Sequence, residues 1–203
     1  MTKRACCPQC NRAIVACFCN TITQIENELS VVILQHTSEV KHAKGTAKIV
    51  ELSLDNIDVF VGEDFTDNSE LKQKLATKKS LLLYPQENAI SPSDLASQIN
   101  ENSDIKLSDY QLVVIDGSWK KAFKILQLNP FLSQIPAIGI DAINESDYRI
   151  RKSSRSDSLS TLEAIHSVLT TVEGNKFEGL LASFKAMVDF QIKSMPKDVQ
   201  GRY

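Results

Sequence analysis

The feature that most restricts the fold is a series of short, continuously apolar runs set among helical patterns. Val31-Val32-Ile33-Leu34 is continuously apolar; Asp58-Val59-Phe60-Val61, Leu81-Leu82-Leu83-Tyr84 and Leu112-Val113-Val114-Ile115 are further candidate strands, and Ala137-Ile138-Gly139-Ile140 is a weaker fifth. The Val31–Leu34 run suits a strand buried on both faces. Between and after them, residues 41–54 carry Ala43, Ala47, Ile49, Val50, Leu52 and Leu54 among lysines, compatible with a helix. Trp119, Ala122, Phe123 and Leu126 recur at helical spacing, and 160–172 and 177–195 read as two further helices. Such alternation predicts an α/β domain with a mainly parallel sheet and helices on both faces. Residues 62–79 read as a loop and a surface helix, and 141–158 as a long charged loop.

A different texture precedes the first run. All five cysteines, Cys6, Cys7, Cys10, Cys17 and Cys19, fall within the first nineteen of 203 residues. A disulfide framework spreads its cysteines through the fold it staples, so this clustering points to metal. Cys7-Pro8-Gln9-Cys10 followed by Cys17-Phe18-Cys19 offers four thiolates, enough to close a tetrahedral shell around a structural Zn²⁺. Free thiols or a redox pair are the alternatives, although no strand precedes the motif as a thioredoxin-like site requires. Cys6 is spare and competes with Cys7; the Cys-x-x-Cys spacing favours Cys7. Residues 1–22 are expected to form this zinc knuckle and 23–203 the main domain.

Hydrophobic residues make up 42% of the chain, enough for a core without disulfides, and the net charge is −2. Overall charge therefore advertises no nucleic-acid partner, and a basic surface must be local. No signal-peptide pattern and no apolar run of membrane-spanning length is found, so a cytoplasmic, soluble protein without a membrane partner is expected. Nothing implies an obligate protein partner.

Several polar groups fall at the ends of the apolar runs. Asp116 closes the fourth run, and Gly117, Ser118 and Trp119 lead into a helix. Ligands of parallel α/β sheets bind outside the carboxyl ends of strands, which gives Asp116 a functional reading. Equally, Asp116 could cap the helix while Trp119 anchors it. His36 follows the first run, with Glu39 and His42 after it; the metalloprotease spacing is absent. Arg149, Arg151, Lys152 and Arg155 suit carboxylates or phosphates, or form a solvated loop. Ser160-Thr161-Leu162-Glu163 matches a helix capping box. Neither Gly-x-Gly-x-x-Gly nor a Walker loop occurs, against a Rossmann-type nucleotide fold.

Taken in order, these motifs resemble the DTW-domain family. The resemblance rests on Cys7/Cys10/Cys17/Cys19, His36/Glu39, Thr46, Leu83-Tyr84-Pro85, Asp116-Gly117-Ser118-Trp119, Tyr148-Arg149-Ile150-Arg151 and Ser160-Thr161-Leu162-Glu163-Ala164, across nearly the whole chain. Ser118 departs from the family's threonine, keeping the hydroxyl and losing a methyl. The family is similar to the SPOUT-type methyltransferases, which implies a SPOUT-like sheet with a C-terminal trefoil knot. It further implies transfer of the 3-amino-3-carboxypropyl group of S-adenosylmethionine to N3 of a uridine in tRNA, releasing methylthioadenosine. By this resemblance the donor would be bound by His36, Thr46, Tyr84, Pro85, Asp116, Ser118, Trp119, Arg151, Thr161 and Glu163. Asp116 is the candidate general base. Arg149 or Arg151 would hold the donor's carboxylate or a tRNA phosphate.

Two rival readings remain at this point: a SPOUT-type RNA methyltransferase, and a zinc-dependent RNA-binding module without catalysis. For tRNA, a local basic surface is expected from Lys120, Lys121, Lys124, Arg149, Arg151, Lys152 and Arg155.

Overall fold

The fold is that of a computed structural model, in which residues 5–140 and 159–197 are described. Each apolar run forms a strand. The order is β1 (Ser30–Gln35), α1 (Ala47–Ser53), β2 (Ile57–Val61), α2 (Ser69–Ala76), β3 (Lys79–Leu83), α3 (Pro92–Glu101), β4 (Tyr110–Asp116), α4 (Trp119–Leu128), β5 (Ala137–Ile138), α5 (Thr161–Glu173) and α6 (Glu178–Lys193). The strands form one sheet in the order β2-β1-β4-β3-β5, and every pairing is parallel.

Successive residues of a strand point to opposite faces, and the core divides accordingly. Val31, Ile33, Leu112 and Val114 join a cluster with Ile49 of α1, Leu95 of α3, Ile165 of α5 and Phe184 of α6. Val32, Leu34, Leu82 and Val113 join a second cluster with Leu71 of α2 and Ile125 of α4. Helices thus cover both faces, as the continuous apolar runs predict. β1 is buried along its whole length because it has a strand on each side and a cluster above and below.

The structure differs from expectation at two elements. Helix α3 is not marked by apolar periodicity; its start lies in Ser91, whose side chain accepts from the Asp94 amide, and in Pro92 at the first turn. The expected helix over 41–54 is shorter. Before Thr46 the chain makes successive tight turns, Glu39 N–H to His36 O, His42 N–H to Glu39 O and Gly45 N–H to His42 O. The expected trefoil knot involves the C-terminal part of the chain, and the connection between β5 and α5 belongs to it. That stretch, 141–158, lies outside the described residues.

Candidate active site

The carboxyl ends of β1 and β4 are adjacent, with Gln35 in register with Asp116. The chain leaves β1 toward α1 on one face and leaves β4 toward α4 on the other. A crevice opens where the connections diverge, the usual ligand position of open parallel sheets. A cavity of about 940 Å³ fills it, at the upper end of the ~300–1,000 Å³ typical of small-molecule sites. Its walls come from the turns at 37–46, the end of β3, the β4–α4 turn and the start of α5.

Asp116 is 5% exposed and lines the cavity. Gln35 Nε2 donates to its Oδ2 at 2.8 Å, and Thr161 Oγ1 donates to its Oδ1 at 2.5 Å. The carboxylate therefore joins β1, β4 and α5. A carboxylate offers about four acceptor positions, so each oxygen retains capacity for a ligand proton. The helix-cap reading of Asp116 is not what is found. Ser118 is the N-cap of α4, and among the described residues no α4 amide donates to the Asp116 side chain. The Ser118 hydroxyl makes no capping bond itself and lines the cavity.

Gly117 allows a close approach at the turn. A Cβ there would lie 3.0 Å from Lys121 Cβ and 3.6 Å from His36 Cβ. Trp119, 53% exposed, meets Tyr84 edge-on with ring centroids 6.3 Å apart, and the two give the cavity an aromatic wall. Glu39 carries an ion pair to Lys121 at 2.6 Å, and Lys44 adds a further cation to the lining.

Of the residues expected to bind the donor, Thr46, Tyr84, Pro85, Asp116, Ser118, Trp119 and Thr161 line this one cavity. His36 and Glu163 are buried beside it and outside its lining. His36 Nδ1 accepts from the Ser38 amide at 3.2 Å, which leaves Nε2–H to donate to Glu63 Oε1 at 2.9 Å. Glu163 completes the capping box: its Oε2 accepts from the Ser160 amide at 2.7 Å, and its amide donates to Ser160 Oγ. Arg151, with Tyr148, Arg149, Lys152 and Arg155, lies outside the described residues.

Two residues of this region carry no role in the sequence pattern: Gln35, which stands beside His36, and Glu63. Gln35 had a signal, a polar side chain directly after the apolar run Val31–Leu34 at the carboxyl end of β1. Glu63 had none, because its position depends on Asn129. That buried amide accepts from Phe65 N–H and donates to the Glu63 carbonyl at 2.7 Å, which fixes the loop after β2. A hydrogen bond from Lys124 and the nearby His36 hold the Glu63 carboxyl below the usual range.

The cysteines form a second centre. The sulfurs of Cys7, Cys10, Cys17 and Cys19 all lie within 4.8 Å of one another, and Cys6 is not among them. Cys7–Cys19 and Cys10–Cys17 are each 3.7 Å apart, far longer than a disulfide. Four sulfurs at ~2.3 Å from a tetrahedral Zn²⁺ stand about 3.8 Å from each other, so the set fits such an ion. Amides of Cys10 and Gln9 draw the Cys7 thiol down to about 6, while burial and the neighbouring sulfurs push the Cys19 thiol up. Four thiolates so close repel one another unless a cation lies between them.

The DTW-domain family model matches residues 4–192, nearly the whole chain. The chain belongs to the DTW-domain family. Two curated relatives carry the name tRNA-uridine aminocarboxypropyltransferase 2. The one from Drosophila melanogaster is 30% identical over 84% of this chain and 68% of its own length. The one from Macaca fascicularis is 25% identical over 94% of this chain and 65% of its own length. This DTW-domain chain therefore spans about two thirds of the length of these relatives. No solved structure matches it.

Proposed function

We propose that the chain is a tRNA-uridine aminocarboxypropyltransferase with S-adenosylmethionine as donor. The observation that carries the reading is Asp116, buried at the carboxyl edge of β4, bonded to Gln35 and Thr161, and facing a cavity of cofactor size. Family membership and the names of the two relatives support it.

In this reading Asp116 accepts the proton from uridine N3. The N3 electron pair forms a bond to the aminocarboxypropyl carbon next to sulfur. That carbon–sulfur bond breaks, its electrons neutralise the sulfonium, and methylthioadenosine leaves. The proton passes from Asp116 to solvent. Choice among the three carbons on sulfur is a matter of positioning, to which the Tyr84–Trp119 wall and the Thr161–Asp116 bond contribute. Arg149 or Arg151 is proposed to hold the donor's carboxylate or a tRNA phosphate.

Cys7, Cys10, Cys17 and Cys19 would hold a Zn²⁺ whose role would be structural, since four thiolates would complete its shell. The proposed division is a zinc knuckle over 1–22 and a SPOUT-like domain over 23–203 with a C-terminal trefoil knot. The all-parallel sheet with its cavity at the strand ends agrees with that relation. No helix among the described residues is long and apolar enough to cross a membrane, and a cytoplasmic location is proposed. Calorimetric titration with S-adenosylmethionine tests the cavity assignment. One saturable site per chain is expected, weakened by Trp119→Ala; absence of binding would overturn it.

A further inference from the structure

Arg12 lies in the cysteine knuckle, two residues after Cys10, and its side chain reaches the wall of the cavity. Its guanidinium donates to the Ala43 carbonyl at 2.5 Å and to the Gly45 carbonyl at 2.9 Å. Both acceptors belong to the turns at 37–46, whose Glu39, His42, Lys44 and Thr46 line the cavity while Ala43 does not. The Ala43 carbonyl also accepts from Gln191 Nε2 at 3.0 Å, so the outer side of this segment is held from α6 as well.

The Arg12 backbone is set by the cysteine turn. Cys7 N–H donates to the Arg12 carbonyl at 2.7 Å, and Asn11 N–H donates to the Cys7 carbonyl at 2.9 Å. Asn11 takes a left-handed conformation, φ 57°, which an asparagine tolerates better than most residues. The guanidinium lies over the Phe18 ring, 5.0 Å from its centroid, and Phe18 is itself part of the core. A planar fork backed by an aromatic ring has little freedom, which suits it to holding two carbonyls at once. From there the path into the cavity is short. Gly45 precedes Thr46, whose Oγ1 accepts from the Leu162 amide at 3.3 Å, and the adjacent Thr161 holds Asp116.

We propose that Arg12 is a positioning residue that couples the cysteine knuckle to the cavity: by gripping the Ala43 and Gly45 carbonyls it holds residues 37–46 in the shape that binds the donor. The ligand half of this inference rests on the S-adenosylmethionine reading of the cavity; the coupling itself does not.

The test uses the full zinc-loaded chain with Arg12→Met, which keeps an apolar stem and removes every donor. Three quantities are measured: zinc per chain, amide hydrogen exchange over 37–46, and S-adenosylmethionine affinity by calorimetry. The expected result is unchanged zinc, exchange over 37–46 faster by about tenfold, and donor Kd raised by about tenfold. Arg12→Lys should leave exchange fast, because an ammonium cannot hold two carbonyls as a rigid fork does. Unchanged exchange over 37–46, or loss of zinc from Arg12→Met, overturns the proposal. If Arg12→Met does not fold, the same readings on Arg12→Lys decide. If the wild-type chain binds no S-adenosylmethionine, the cavity reading fails and the exchange result still decides the role of Arg12.

Discussion

Thr161 Oγ1 donates a 2.5 Å hydrogen bond to Asp116 Oδ1, joining the first residue of α5 to the last residue of β4. Together with Gln35 on the other oxygen, it fixes the plane of a buried carboxylate at the cavity wall. Thr161→Val keeps the shape and removes the donor. A hydrogen bond to a charged group is worth about 1.5–3 kcal/mol. Turnover in Thr161→Val should therefore fall by about ten- to hundredfold. Steady-state rates on a variant of wild-type melting temperature check this, and an unchanged rate would remove the bond from the mechanism.

Asp116→Asn separates proton acceptance from scaffold. Loss of a general base costs about 10²–10⁴-fold in rate. The variant should fold, retain zinc and bind S-adenosylmethionine, yet turn over at least about a hundredfold more slowly. Near-normal single-turnover rates would exclude Asp116 as the base.

The metal prediction discriminates between neighbouring cysteines. Cys10→Ser should abolish zinc binding, since its sulfur stands 3.7 Å from Cys17 within the four-sulfur set. Cys6→Ser should leave one zinc per chain, because Cys6 lies outside that set. Metal analysis of the purified variants decides it; full zinc in Cys10→Ser contradicts the assignment.

Lysines on α4 should contribute unequally to tRNA binding. Lys121 pairs with Glu39 at 2.6 Å and Lys124 with Glu63, whereas Lys120 has no ion-pair partner among the described residues. Affinity should fall steeply with salt through counterion release. Lys120→Ala should lower the slope of log K against log salt by about one, and Lys124→Ala by less. Salt titrations of binding measure both slopes, and equal effects would contradict the local pairing.

Strand identity was legible because a parallel sheet covered on both faces requires apolar side chains at every position, and Val31–Leu34 and Leu112–Ile115 supply them. The cysteine centre was legible because Cys-x-x-Cys brings two sulfurs together within a single turn. Asp116 stood out as an acid directly after such a strand. What joins these features was not legible. Gln35 and Thr161 meet Asp116 only after β1, β4 and α5 have packed, and hydrogen bonds across 81 and 45 residues leave no periodic trace. Arg12 reads as an ordinary surface cation until the segment 37–46 lies beneath it. The surroundings of His36 were hidden for a related reason: the strand end places it at the expected edge of the sheet, while its ring faces Glu63, which another loop brings in.

The identity of the group transferred to tRNA separates an aminocarboxypropyltransferase from a methyltransferase most directly. Unmodified tRNA is incubated with S-adenosylmethionine and the zinc-loaded chain, and the nucleosides and small-molecule products are separated by mass spectrometry. A uridine carrying the 3-amino-3-carboxypropyl group and methylthioadenosine in equal amount are expected. A methylated nucleoside with S-adenosylhomocysteine, or tRNA that returns unmodified, would contradict the proposed transfer.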